Sequence, residues 1–189
     1  KKFIDDIKSP NEKNLNNSKR KYFISVGRLT KQKNFTYLID EFYKFTKNND
    51  DYDLLIFGEG EYKKKLLNQI DNYSLSNRVF LKGYSKNIYS HMKGAEAFIL
   101  SSLWEDPGFV IIEAGMCNLF IISSNCKNGP REFLQDGQGG ILFENNIKNE
   151  LTNALKSFIE THHNHKKKIL NTKKRCLIYT LFRHFQILD

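Results

Sequence analysis

No run of eighteen apolar residues occurs in the 189-residue chain, so no segment has the length and character of a bilayer-spanning helix. The first residues, KKFIDDIKSP, carry too much charge for a secretory signal peptide. They read as the tail of something upstream, and the sequence is expected to be a piece of a longer protein. Cysteine is scarce. Cys117, Cys126 and Cys176 are too few and too scattered for a disulfide framework or a zinc site, which fits a reducing, cytoplasmic compartment. N-x-S/T acceptors at Asn16, Asn34 and Asn72 sit in an asparagine-rich chain without a secretion signal and carry little weight for glycosylation. There is no internal repeat and no low-complexity tract.

What is present suits one ordinary domain with a sizeable core: 40% hydrophobic and 13% aromatic residues. The net charge of +9 points to phosphorylated ligands, nucleic acid or an anionic membrane face. Lysines cluster at Lys63–Lys65, Lys166–Lys168 and Lys173–Arg175, and each cluster reads first as a solvated helix face. None is interleaved with aromatics as a single-strand nucleic-acid channel would be.

Residues 1–20 are polar and rich in Asn and Lys, a lead-in or linker. A rhythm then begins. YFISV (22–26), YDLLIF (52–57), RVFLKG (78–83), AFILSS (97–102), LFIISS (119–124) and GILF (140–143) have strand length, and several are apolar nearly throughout, as buried parallel strands are. Between the first two, Phe35, Leu38, Ile39, Phe42 and Phe45 fall on one face of an amphipathic helix. Segments near 60–71, 86–94, 108–117 and 148–161 also suit helices. Strands alternating with helices predict an α/β fold with an open, doubly wound, parallel Rossmann-like sheet over 21–165. The segment 166–189 reads as helical without a further strand, so its apolar residues are expected to pack elsewhere.

In such sheets ligands sit beyond the carboxyl ends of the strands, so the loops there matter most. After the first strand, GRLTKQKNF lets the backbone approach a ligand at Gly27 and places the cations Arg28 and Lys33 at one sheet edge. After the second, GEGEY lacks the third glycine of a dinucleotide fingerprint, and Gly58 and Gly60 read as a close approach of chains. After the third, Tyr84 offers a flat ring that can stack on a base or simply pack. The fourth strand leads into EDPGFVIIEAGMC. Here Gly108 makes a tight turn, a helix begins at Phe109 and Val110, and Glu105 and Glu113 flank the turn.

A helix start attracts anions, whereas two glutamates repel them. A carboxylate accepts two hydroxyl donors side by side. A ligand with a diphosphate in its middle and diols at its ends satisfies both demands, and a nucleotide sugar is such a ligand. The competing reading is two solvated acids beside a helix.

GRLTKQK, GEG, VFLKGY, SSLWEDPGFVIIEA and NGPREFL, in this order, resemble the C-terminal, donor-binding half of the family-four retaining glycosyltransferases, cytoplasmic enzymes of the two-domain GT-B fold. The resemblance covers roughly residues 20 to 189. It implies that Arg28 and Lys33 hold the donor diphosphate and stabilise the leaving charge, and that Glu105 binds hydroxyls of the transferred sugar. Glu113 would hold the ribose diol, the backbone at Gly27, Gly108, Phe109 and Val110 would complete the cradle, and Tyr84 would lie by the base. No metal is implied, and the donor is expected to be UDP-linked.

The chain departs from the family pattern at Asp106-Pro107-Gly108, where glycine-aromatic-glycine is common, and at Asn118, where glycine is common. The Pro-bearing form resembles bacterial enzymes of polysaccharide and lipid-linked glycan assembly, implying a glycan or lipid-linked acceptor. The acceptor-binding half would be a missing N-terminal domain, without which this piece is expected to transfer little. The terminal YTLFRHFQIL segment resembles a helix that crosses back to that half.

Three rival chemistries are weak. Asp51-Tyr52-Asp53 is a D-x-D triplet, but it precedes its strand and so sits at the wrong sheet edge for a metal-bound diphosphate. His162, His163 and His165 are expected to be solvated. No nucleophile elbow supports Ser/His/Asp hydrolysis. The alternatives of another class are a non-catalytic nucleotide-binding module and a basic nucleic-acid-binding domain, the latter disfavoured. A peripheral contact with the inner membrane face is compatible with the enzyme reading.

Overall fold

The structure, a computed structural model, describes residues 20–105 and 108–179. Six strands are laid down as β1 (Lys21–Val26), β2 (Tyr52–Phe57), β3 (Val79–Gly83), β4 (Ala97–Leu100), β5 (Phe120–Ser124) and β6 (Gly140–Phe143). Helices follow them as α1 (Phe35–Thr46), α2 (Lys63–Asn72), α3 (Ile88–Gly94), α4 (Phe109–Met116), the one-turn α5 (Pro130–Phe133), α6 (Glu150–Glu160) and α7 (His165–Cys176). All the pairings are parallel, in the order β3-β2-β1-β4-β5-β6. This is the doubly wound sheet that the rhythm predicts.

Successive side chains on a strand point to opposite faces, and the two cores follow that rule residue by residue. Phe23, Leu54, Ile56, Ala97, Ile99, Phe120 and Ile122 enter one core, with Phe35, Leu38, Ile39, Phe42 and Phe45 of α1 and the apolar faces of α2 and α6. Ile24, Leu55, Phe57, Phe98, Leu100 and Ile121 enter the other, with Met92 of α3, Ile111 and Ala114 of α4, and Phe133. Every residue of β4 and β5 is buried, which is why these strands read as continuous apolar runs rather than as alternation.

Within 166–189, the part up to Cys176 forms α7. Its Thr172 donates to the Gly139 carbonyl at 2.5 Å, and its Cys176 is buried beside the carbonyl of Ile112 in α4. The lead-in up to residue 19, Asp106-Pro107 and the terminal segment from 180 onward lie outside the described residues.

His165 departs from the expectation of solvation. Its ring stacks on Phe158 at 4.3 Å and lies 4.4 Å from Phe120, closing the end of the first core. Burial lowers its pKa, so the ring is neutral at neutral pH. His162 and His163 are exposed, as expected.

The strand order reverses between β1 and β4. A parallel sheet opens a crevice at such a point, beyond the carboxyl ends of the two strands.

Candidate functional site

The crevice is walled by the loop after β1 and the loop after β4, and hydrogen bonds tie these loops to one another. The Leu103 amide donates to the Gln32 carbonyl at 2.8 Å, Ser101 Oγ to the Lys33 carbonyl at 2.7 Å, and Gln32 Nε2 to the Trp104 carbonyl at 3.0 Å. On the far side the β4–β5 pairing resumes past its strands. Trp104 pairs with Lys127, and the Glu105 amide donates to the Lys127 carbonyl at 3.2 Å. The loop carrying Glu105 is therefore fixed from both flanks.

Glu105 is 2% exposed. Lys33 Nζ reaches its Oε1 at 2.7 Å and its Oε2 at 2.9 Å, and Ser102 Oγ donates a very short bond to Oε1. A buried carboxylate is tolerable only when so paired. An ammonium has three donors, so this pairing leaves Lys33 capacity for a further acceptor.

Two glycines allow this packing. A Cβ on Gly108 would lie 3.3 Å from Cβ and Cγ of Glu105, and the residue adopts φ 39°, a left-handed conformation that favours glycine. A Cβ on Gly58 would lie 2.0 Å from the Gly27 carbonyl oxygen, so the GEG segment is a close approach of backbones, as read from the sequence.

Arg28 is exposed, and its guanidinium makes no ion pair or hydrogen bond among the described residues. Phe109 opens α4 and is 66% exposed, while Val110 is half-buried against the second core. The first amides of any helix lack intrahelical partners, and α4 starts immediately after Gly108, which lies against Glu105.

Glu113, one turn further, is half-buried and accepts a hydrogen bond from Tyr89 Oη of α3 at 3.2 Å. Burial pushes its carboxyl above the ordinary value, against the opposing pull of the tyrosine. Tyr84 stands 79% exposed after Gly83.

The structure thus joins Gly27, Lys33, Glu105 and Gly108 into one contacting cluster, with Arg28, Phe109 and Val110 on the same loops. Glu113 has a partner of its own, Tyr89, and Tyr84 forms no hydrogen bond, ion pair or ring contact with the cluster among the described residues. Sequence reasoning missed Ser102 and Tyr89. The run AFILSS places Ser102 at the end of a strand, although a hydroxyl three residues before a glutamate on a tight loop is a usable signal. Nothing in the sequence marks Tyr89.

The D-x-D triplet lies at the amino end of β2, where Asp53 is fully buried and paired with Arg20 at 3.5 Å and Arg78 at 3.4 Å. Among the described residues no three His, Cys, Asp or Glu side chains gather as a metal site.

Comparison with known proteins agrees with this architecture. The family model described as glycosyl transferases group 1 matches residues 6–175. An uncharacterized glycosyltransferase of Methanocaldococcus jannaschii is 44% identical over 112 residues, 59% of this chain and 28% of its own length. The N-acetylgalactosamine-N,N'-diacetylbacillosaminyl-diphospho-undecaprenol 4-alpha-N-acetylgalactosaminyltransferase of Campylobacter jejuni is 34% identical over 142 residues, 75% of this chain and 38% of its own length. The chain therefore spans about a third of the length of these relatives. Among solved structures, Anabaena HepE in complex with UDP and glucose superposes with a TM-score of 0.75 at 23% identity, covering 83% of this chain and 43% of that one. The fold is one half of GT-B, and the chain belongs to the glycosyl transferases group 1 family.

Proposed function

We propose that this chain is the donor-binding half of a retaining glycosyltransferase that takes a UDP-linked sugar and passes the sugar to a glycan or lipid-linked acceptor held by a further domain. The observation that carries the reading is the buried Lys33–Glu105 pair at the β1/β4 crevice, with Arg28, unpaired among the described residues, on the same loop as Lys33. In this reading the pair is the resting state. The diphosphate takes Lys33 and Arg28 as its counter-ions, and Glu105, released from part of its pairing, accepts hydroxyls of the sugar. Glu113 takes the ribose diol, Phe109 and Val110 amides complete the cradle, and Tyr84 lies by the base.

As the bond from the anomeric carbon to the diphosphate breaks, charge grows on the leaving oxygen. Fixed cations aimed there stabilise the transition state more than the ground state, commonly the largest contribution to rate. With two cations in place, no metal is called for. No residue of the crevice is placed as a nucleophile, so attack by the acceptor on the leaving-group face is the proposed route to retention. The UDP and glucose bound by HepE support the choice of donor, and the Campylobacter relative supports a lipid-linked acceptor.

The test is a thermal-shift series with UDP, GDP, ADP and dTDP, each with and without EDTA. A ligand near a hundred times its Kd adds about 2.7 kcal/mol of stability. The expected result is a UDP-selective shift that EDTA leaves unchanged. A shift that vanishes with EDTA would contradict the metal-free assignment. No shift with any of the four would contradict donor binding. A basic nucleic-acid-binding domain would instead show affinity for duplex or single strands that falls steeply with salt.

A further inference from the structure

Helix α7 has two unlike faces. At 100° per residue, Lys166, Lys167, Leu170, Lys173 and Lys174 occupy an outer arc of about 120°, and Leu177 continues it beyond the helix end. All six are exposed, and the leucines are 52% and 55% exposed. On the other side Thr172 and Cys176 are buried against the domain. The inner lysine, Lys168, is used structurally, donating to the carbonyls of Gly137 and Gly140.

The outer lysines are not used in this way. None of the four makes an ion pair among the described residues, and α7 contains no Asp or Glu. A solvated structural face would gain from carboxylates spaced to pair with these lysines, and this one forgoes them. Its leucines stand between the lysines on the same outer arc.

We propose that the outer face of α7 is a docking surface for an anionic lipid bilayer. The chemistry fits that partner. Lysine stems lie along the headgroup layer with their ammonium groups among lipid phosphates, while Leu170 and Leu177 enter the acyl boundary. A nucleic-acid groove would call for aromatic or arginine stacking instead, and the arc contains neither. The surface lies on α7, away from the crevice cluster, and the proposal does not depend on the donor reading.

The experiment is co-sedimentation of the full chain with vesicles of phosphatidylcholine, with and without phosphatidylglycerol, at low and physiological salt. The wild type should bind the anionic vesicles, less so as salt rises, and leave the neutral ones in suspension. Each lysine is worth about fivefold in partitioning, so K166Q/K167Q/K173Q/K174Q should lose more than about a hundredfold. Leu170→Ser should lose a few-fold at every salt concentration. The variant K63Q/K64Q/K65Q, which removes charge from α2, should retain most of the binding.

Equal loss in the α2 and α7 variants would overturn the proposal in favour of diffuse net charge. So would unchanged binding in the α7 variant, or tighter α7-dependent binding to duplex DNA than to vesicles. The four substituted lysines are all exposed, so an unchanged melting curve should accompany the loss. The UDP-induced shift of that variant should also equal the wild type's, which separates this surface from the crevice.

Discussion

Two buried glutamates, Glu41 and Glu105, face similar problems and are treated differently. Each is 2% exposed or less, and each has a lysine and a hydroxyl as partners. Around Glu41 of α1 the remaining donors are backbone. The amides of Asn149 and Thr152 reach it at 3.0 and 3.1 Å, Thr152 Oγ1 at 2.7 Å and Lys44 Nζ at 2.6 Å. The carboxylate thereby caps the start of α6 from another helix, and its four acceptor positions are filled. Around Glu105 the donors among the described residues are side chains alone, Lys33 and Ser102, at an edge where the sheet opens. Backbone amides cannot leave without unfolding a helix end, whereas a lysine can turn to another anion. The difference separates a carboxylate that holds two helices together from one suited to exchange partners with a ligand.

The largest expected effect breaks the structural side of this comparison. Glu41→Ala should cost about 3 kcal/mol of folding stability, because buried amides at the start of α6 lose their acceptor and Lys44 loses one of its two carboxylates. Chemical denaturation measures this, and a loss below about 1 kcal/mol would reduce Glu41 to a surface-like role.

Glu105→Gln should act mainly on the ligand. It should weaken the intact UDP-sugar about tenfold, roughly 1.4 kcal/mol, while changing UDP affinity less. Equal losses for both ligands, read by calorimetry, would detach Glu105 from the sugar.

The smallest effect is on pH dependence. Burial raises the Glu41 pKa, but hydrogen bonds from Lys44, Thr152 and Asn149 outweigh this and hold it below 4.5. A carboxylate depressed in the folded state binds its proton more weakly there than in the unfolded chain. Its stabilisation is therefore complete above about pH 4.5 and is lost as the pH falls through the lower folded value. Stability of the wild type should fall on acidification in that window, and the slope should be shallower in Glu41→Ala. Identical slopes would assign the acid sensitivity to other groups.

The same two residues show what the sequence could and could not disclose. The strands were legible because buried parallel strands are apolar throughout, and α1 because five apolar residues share one face. The crevice pair was legible through loop chemistry at strand ends: cations after β1 and a glutamate after β4. The hydrogen-bonded contact between Lys33 and Glu105 was not, since it depends on β1 and β4 being neighbours, and alternation of elements does not specify strand order. Glu41 was invisible because its partners lie 108 and 111 residues away, and a glutamate on an amphipathic helix reads as solvated. His165 failed likewise, its cage of Phe120 and Phe158 coming from two other elements. The one-turn α5 was too short to show a period.

The central claim is that the β1/β4 crevice receives a diphosphate. Calorimetric titration of UDP and uridine into the wild type and Arg28→Ala tests it most directly, because Arg28 is exposed and nothing described in the fold leans on it. The account predicts UDP weakened by about tenfold and uridine unchanged. An equal change for both ligands, or none for UDP, would contradict it.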